Sequence, residues 1–120
     1  GIVVKMEMIR DYPDLLMEFL KLHEEACNMM RKHPLKSAEV VAKAVAVFDR
    51  NFVLDVYRVS PKYCAALSKE YVESTLAFIP VLRKMGYLSK HISEDDVFHR
   101  NFIELIHPEH AHYDDPGVLY

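Results

Sequence analysis

The chain has 120 residues, about one domain's worth, and 51% of them are hydrophobic, which supports a packed core and excludes a disordered tail. Its formal net charge is -3, and its 15 Lys and Arg are scattered, so there is no basic footprint for nucleic acid and no basic run for a membrane surface. No apolar run in it approaches the roughly 18–20 residues that a membrane-spanning helix needs.

In chain order, GIVVKM over Gly1 to Met6 predicts a buried β-strand. No later segment reads as its partner, and a lone strand leaves its backbone N–H and C=O groups without a ladder. The expectation is a piece of a larger protein that supplies the missing strands. Glu7 to Asp11 reads as a short connector. Pro13 suits the first turn of a helix, and Asp14 and Glu18 favour its positive end. Leu15, Leu16, Phe19, Leu20, Leu22, Ala26, Cys27, Met29 and Met30 then form a wide apolar face over residues 12–32. Pro34 ends that helix and opens a second, to about Ala46, with Val40, Val41, Ala44 and Val45 as its buried side.

Asp49 is a good N-cap for a short third helix through Phe52, Val53, Val56 and Tyr57, which Ser60-Pro61 ends. Ser68 caps a fourth helix running to about Met85, with Val72, Leu76, Ile79 and Leu82 on one side and Gly86 placed to close it. Pro80 lies inside it and predicts a kink rather than an end, because the apolar pattern continues. Ser93, followed by Glu94, Asp95 and Asp96, starts a fifth helix carrying Val97, Phe98, Phe102, Ile103, Leu105 and Ile106, and Pro108 stops it. The expected fold is therefore mainly α, a single unit of five helices with one N-terminal β-strand: strand over 1–6, helical region over 12–109, irregular tail over 110–120.

Few residues suggest chemistry. His107, His110 and His112, with Asp114 and Asp115, have the residue types that hold Zn²⁺ or Ni²⁺. A tail offers no fixed geometry for an ion, so the expectation is no metal, with these histidines as the candidates if one binds. His23 and Glu24 on the first helix, with His99 on the last, have acid–base character, but no nucleophile or oxyanion element joins them. Tyr57, Tyr63 and Tyr71 are the aromatics to check for a cleft. Met29-Met30 could line an adaptable groove or fill the core. Cys27 and Cys64 are expected on separate helices, have no CxxC spacing and read as ordinary buried thiols.

Three stretches carry a family resemblance. They are VVKMEMIRDYPDLLMEFLKLHEEACNMMRKHPLKSAEVVAK over 3–43, ALSKEYVESTLAFIPVLRKMGYLSK over 66–90 and ISEDDVFHRNFIELIHPE over 92–109. In order and spacing they resemble the C-terminal part of the solute-binding proteins of ABC importers for nitrate, sulfonates and taurine, with the related thiamine-precursor-type proteins. The resemblance implies a parent with the periplasmic-binding-protein fold, two α/β lobes closing on a ligand in the cleft between them. The strand would belong to one lobe's sheet and the helices would pack back across the other. The His-rich tail after Pro108 departs from the family pattern.

The same resemblance implies a transport role without enzymatic activity or cofactor. The partners would be a small anion, bound by the parent, and a membrane permease. The location would be periplasmic or otherwise extracytoplasmic, with a lipid anchor on the parent left open. The family's ligand contacts lie mostly before the matching stretches, and none maps onto a residue here. Two alternatives stand beside it: a thiamine-pyrimidine biosynthesis protein of the same fold, and a self-contained helical interaction module that dimerises, with the strand pairing by β-augmentation. An excised piece would also leave apolar faces bare and self-associate.

Overall fold

The computed structural model describes residues 1–59 and 63–109. Ser60-Pro61 and the tail residues His110, His112, Asp114 and Asp115 lie outside the described residues. Among the described residues the fold is mainly helical, as expected, and contains no strand. The elements are α1 (Met6–Asp11), α2 (Pro13–Lys32), α3 (Pro34–Ala44), α4 (Arg50–Val59), α5 (Lys69–Lys84), α6 (Glu94–Val97) and α7 (Asn101–Ile106).

The expected N-terminal strand is not formed. Residues 1–5 are exposed and irregular, and Met6 already belongs to α1, which replaces the expected connector. The apolar run Ile2-Val3-Val4 meets no second strand among the described residues, so its backbone gains no ladder. The segment instead lies against α5, close enough that a Cβ built on Gly1 would fall 2.5 Å from the Tyr71 hydroxyl.

Prolines set the next boundaries. Pro13 and Pro34 occupy the first turns of α2 and α3, where a missing N–H leaves nothing unpaired. His33 alone separates the two helices. Its N–H donates to the Met29 carbonyl at 2.8 Å while its own carbonyl accepts from Ser37 at 2.9 Å, so one residue ends one helix and starts the other. Asp49 caps α4 by accepting the Phe52 N–H at 2.8 Å. Ser68 does the same for α5, accepting from Tyr71 at 3.1 Å. At the other end Gly86 has φ +82°. Tyr87 N–H donates to the Leu82 carbonyl and Gly86 N–H to that of Arg83, both at 3.0 Å, the Schellman closure that glycine permits. α5 continues through Pro80.

Helices α3 and α4 cross at Ala38, which is completely buried, and pack it against Val53 and Tyr57. Met30, Val41, Leu54 and Tyr63 surround that cluster. The Tyr57 hydroxyl lies 3.0 Å from Ser37 Oγ, so the polar ends of both buried side chains are paired. This rotates the buried face of α3 from the expected one. Ser37 and Ala38 are inside, whereas Val40 and Val45 are exposed. The physical reason is size: a small residue at the crossing lets the helix backbones approach closely.

The expected fifth helix is broken. After α6 the chain turns extended at Phe98 (φ -115°, ψ 121°) and restarts as α7. Val97-Phe98-His99 is a run of poor helix formers. Phe98 sets its ring edge-on to Tyr71 at 6.0 Å, a contact that the extended backbone provides, and Arg100 pairs back to Glu94. Asp96 accepts from Ser93 N–H at 2.8 Å and from Ser93 Oγ at 2.7 Å, tying the start of α6. The Ser93 hydroxyl first, and its N–H second, hold the Asp96 carboxyl below its ordinary value. This stabilising contribution is present above the unfolded carboxylate value of about 3.9 and is lost as pH falls through the lower folded value. An NMR titration of Ser93→Ala is expected to move the Asp96 midpoint upward.

Candidate functional site

Glu24, Asn28 and Arg31 fall four and then three residues apart, which places them on one face of α2. That face meets the C-terminal end of α7 and the segment after residue 62. Glu24 is buried, 9% exposed. Its Oε1 accepts from Asn28 Nδ2 at 2.9 Å and lies 3.6 Å from Arg31 Nη2. Arg31 Nη2 in turn donates to Asn28 Oδ1 at 2.6 Å, and its Nη1 donates to the Tyr63 carbonyl at 3.0 Å. Arg31 therefore fastens α2 to the residue just before Cys64.

His107 closes the cluster from α7. Its ring is almost wholly buried, with Nε2 3.8 Å from Glu24 Oε1 and 3.4 Å from Cys64 Sγ. On the other side Nδ1 lies 3.0 Å from the Glu109 carbonyl and 3.3 Å from its carboxylate. A proton on Nδ1, donated to that carbonyl, leaves Nε2 as an acceptor facing the thiol. Glu24 Oε2 is buried without a hydrogen-bond partner among the described residues. An acceptor in that state destabilises the fold unless a donor or positive charge comes near.

Cys27, three residues from Glu24 and four from Arg31, flanks this face of α2 and is buried, with Sγ 3.9 Å from His23 Nε2. Burial pushes its thiol up from the ordinary value. The Glu24 carboxylate and the Cys64 thiol add to that rise, and Arg31 opposes it. Cys64 is only half-buried and lies in the segment between α4 and α5, which corrects the expectation of two buried thiols on separate helices. It borders a mainly apolar groove of about 630 Å³ between residues 1–5, α2, α5 and the α6–α7 region. A second hollow of about 490 Å³ is lined by His107 together with Lys69, Arg100 and Glu104, which give it a mixed charge.

The remaining sequence candidates divide clearly. His23 is half-buried beside Cys27. His99 is exposed and rests on Phe102, ring centroids 5.4 Å apart. Glu24 turns to His107 rather than to either, so the expected His23, Glu24 and His99 grouping is not the one assembled. Tyr57 belongs to the core, Tyr63 meets it edge-on at 5.9 Å, and Tyr71 lines the groove. Met30 packs on the core cluster and Met29 is half-buried. No group of three or more His, Cys, Asp or Glu among the described residues is placed to hold a metal ion.

Asn28, Arg31 and the Cys64–His107 pairing were not singled out from the sequence. The spacing of Glu24, Asn28 and Arg31 on one helical face was a usable signal. The approach of His107 to Cys64 was not, because the two are 43 residues apart. Comparison with protein-family models, curated proteins and solved structures finds no match to this chain.

Proposed function

We propose that this chain is the C-terminal part of a solute-binding protein serving an ABC importer for nitrate, a sulfonate or a related small anion. What supports the reading is the succession of helix signals shared with that family. They are Pro13 opening a long helix, Pro34 opening the next, a Ser68-capped helix closing at Gly86, and a Ser93 start beyond it. The exposed apolar side chains agree with a larger body around it: Val3, Leu15, Phe19 and Leu22 are all more than half exposed.

In the parent, two lobes would close around the anion by hinge motion and the closed form would dock on a membrane permease, outside the cytoplasm. This chain would have a mechanical part, buttressing the lobes, and would perform no reaction. Residues 1–5 would then find, in the parent sheet, the ladder they lack here.

The test compares the product of the full reading frame with this chain by calorimetry against nitrate, taurine and an alkyl sulfonate. The expected result is micromolar binding of one ligand class by the full product and millimolar or weaker binding by this chain, which presents no convergent set of anion donors among its described residues. A reading frame of only 120 codons, instead of one long enough for two to three domains, would overturn the proposal and favour a self-contained helical module. Micromolar binding by this chain alone would put the anion site within it.

A further inference from the structure

We propose that Cys64 is a modification site, a thiol that His107 serves as base and that exchanges with small disulfides entering from the adjoining groove. The proposal goes beyond the transport reading and does not depend on it. Thiol–disulfide exchange needs a thiolate, a path for the disulfide and an acceptor for the thiol proton.

The acceptor is His107 Nε2, 3.4 Å from Cys64 Sγ and within reach of an S–H donor. The imidazole is held on its far side by the Glu109 carbonyl, 3.0 Å from Nδ1, which fixes the tautomer that leaves Nε2 open to the thiol. Once protonated, the ring lies between two carboxylates, 3.8 Å from Glu24 Oε1 and 3.3 Å from Glu109 Oε2. Glu24 Oε2 is buried with no hydrogen-bond partner among the described residues, so this carboxylate keeps an unused acceptor beside the ring that receives the Cys64 proton. Arg31 Nη2, 3.6 Å from Glu24 Oε1, shares that carboxylate with the ring.

The path is the groove of about 630 Å³ that Cys64 borders together with Ala65, Ala66, Leu67 and Tyr71. Ala65 and Ala66, the two residues after the thiol, are small side chains on the wall of that groove. Cys27 offers the internal contrast. It is buried, and burial together with Glu24 keeps its proton on.

Atoms and electrons balance in the exchange. Cys64 Sγ gives its proton to His107 Nε2 as it attacks one sulfur of a small disulfide. The disulfide S–S bond breaks and a Cys64 mixed disulfide forms. The departing thiolate takes the proton from the imidazolium and leaves as a thiol. The incoming disulfide is the oxidant and is reduced by the exchange.

The experiment incubates the intact chain with glutathione disulfide at neutral pH and tracks adducts by mass spectrometry with peptide mapping. One glutathione on Cys64, and none on Cys27, is expected. The rate should exceed that of the same cysteine in concentrated urea by about tenfold, a small part of the usual general-base range because the thiol is half-buried. His107→Gln should lower the native rate by about the same factor, with circular dichroism checking that the helices remain. Should that variant unfold, the comparison of native Cys27→Ser protein with its own urea-unfolded state still decides. Equal labelling of the two cysteines, or a native rate at or below the unfolded one, would overturn the proposal.

Discussion

Tyr57→Ala is expected to destabilise the fold by about 3–5 kcal/mol, measured by equilibrium urea unfolding. Tyr57 is 5% exposed and stands at the crossing of α3 and α4, where Ala38, Val53, Met30 and Leu54 close around it. Truncation removes the ring and leaves a cavity that the flanking helices cannot fully close. It also strands the Ser37 hydroxyl, which is buried and paired to Tyr57 at 3.0 Å. Tyr57→Phe isolates the second effect and should lower stability by about 1 kcal/mol. Since small domains are stable by only about 5–15 kcal/mol, the alanine variant should approach loss of the folded state. A change below about 1 kcal/mol for Tyr57→Ala would show that this cluster is not the centre of the core.

The second large effect concerns association. Tyr12 at the N-cap of α2, then Leu15, Phe19 and Leu22 within it, recur three and four residues apart, the spacing of one helical stripe. Each is at least half exposed. Among the described residues no large side chain is completely buried. A continuous apolar stripe of this kind on an isolated chain drives association, because covering it removes apolar area from water at about 25 cal/mol per Å². Sedimentation velocity is expected to show dimer displacing the 14.0 kDa monomer as concentration rises. The double variant Phe19→Glu, Leu22→Glu should restore the monomer, since both side chains lie in the stripe and outside the core. A wild-type monomer at every concentration would mean that the stripe is not a contact surface and would weigh against a larger body covering it.

Helix starts and stops were legible because each rests on a local device. Pro13, Pro34, Asp49, Ser68 and Gly86 act on backbone groups within four residues of themselves, so the sequence alone displays both partners. What failed depended on distant structure. The pattern of Ile2-Val3-Val4 is right for a strand, but a strand exists only with a partner. Apolar periodicity carried the last helix through Phe98, where a contact with Tyr71 goes with an extended backbone instead. On α3, counting large apolar residues chose Val40 and Val45, while the packing chose the small Ser37 and Ala38. The candidate site obeyed the same rule. Glu24 was visible as a charged residue on a helix, but its partner His107 comes from the other end of the chain.

The two packed regions also differ in how the chain can reach them. The Ser37–Tyr57 contact closes 20 residues, and the Cys64–His107 contact closes 43. Loop-closure entropy grows so slowly with length that this near doubling adds only about 0.6 kcal/mol. Distance along the chain therefore does not rank the two steps. Hydration does: α3 and α4 meet through apolar groups and a buried hydroxyl pair, with their Glu39–Arg50 ion pair left exposed to water, whereas docking α7 on α2 must strip water from a carboxylate, a guanidinium and an imidazole at once. The α3–α4 crossing is consequently the contact with the lower desolvation cost, and the seating of His107 beside Glu24 and Arg31 the one with the higher.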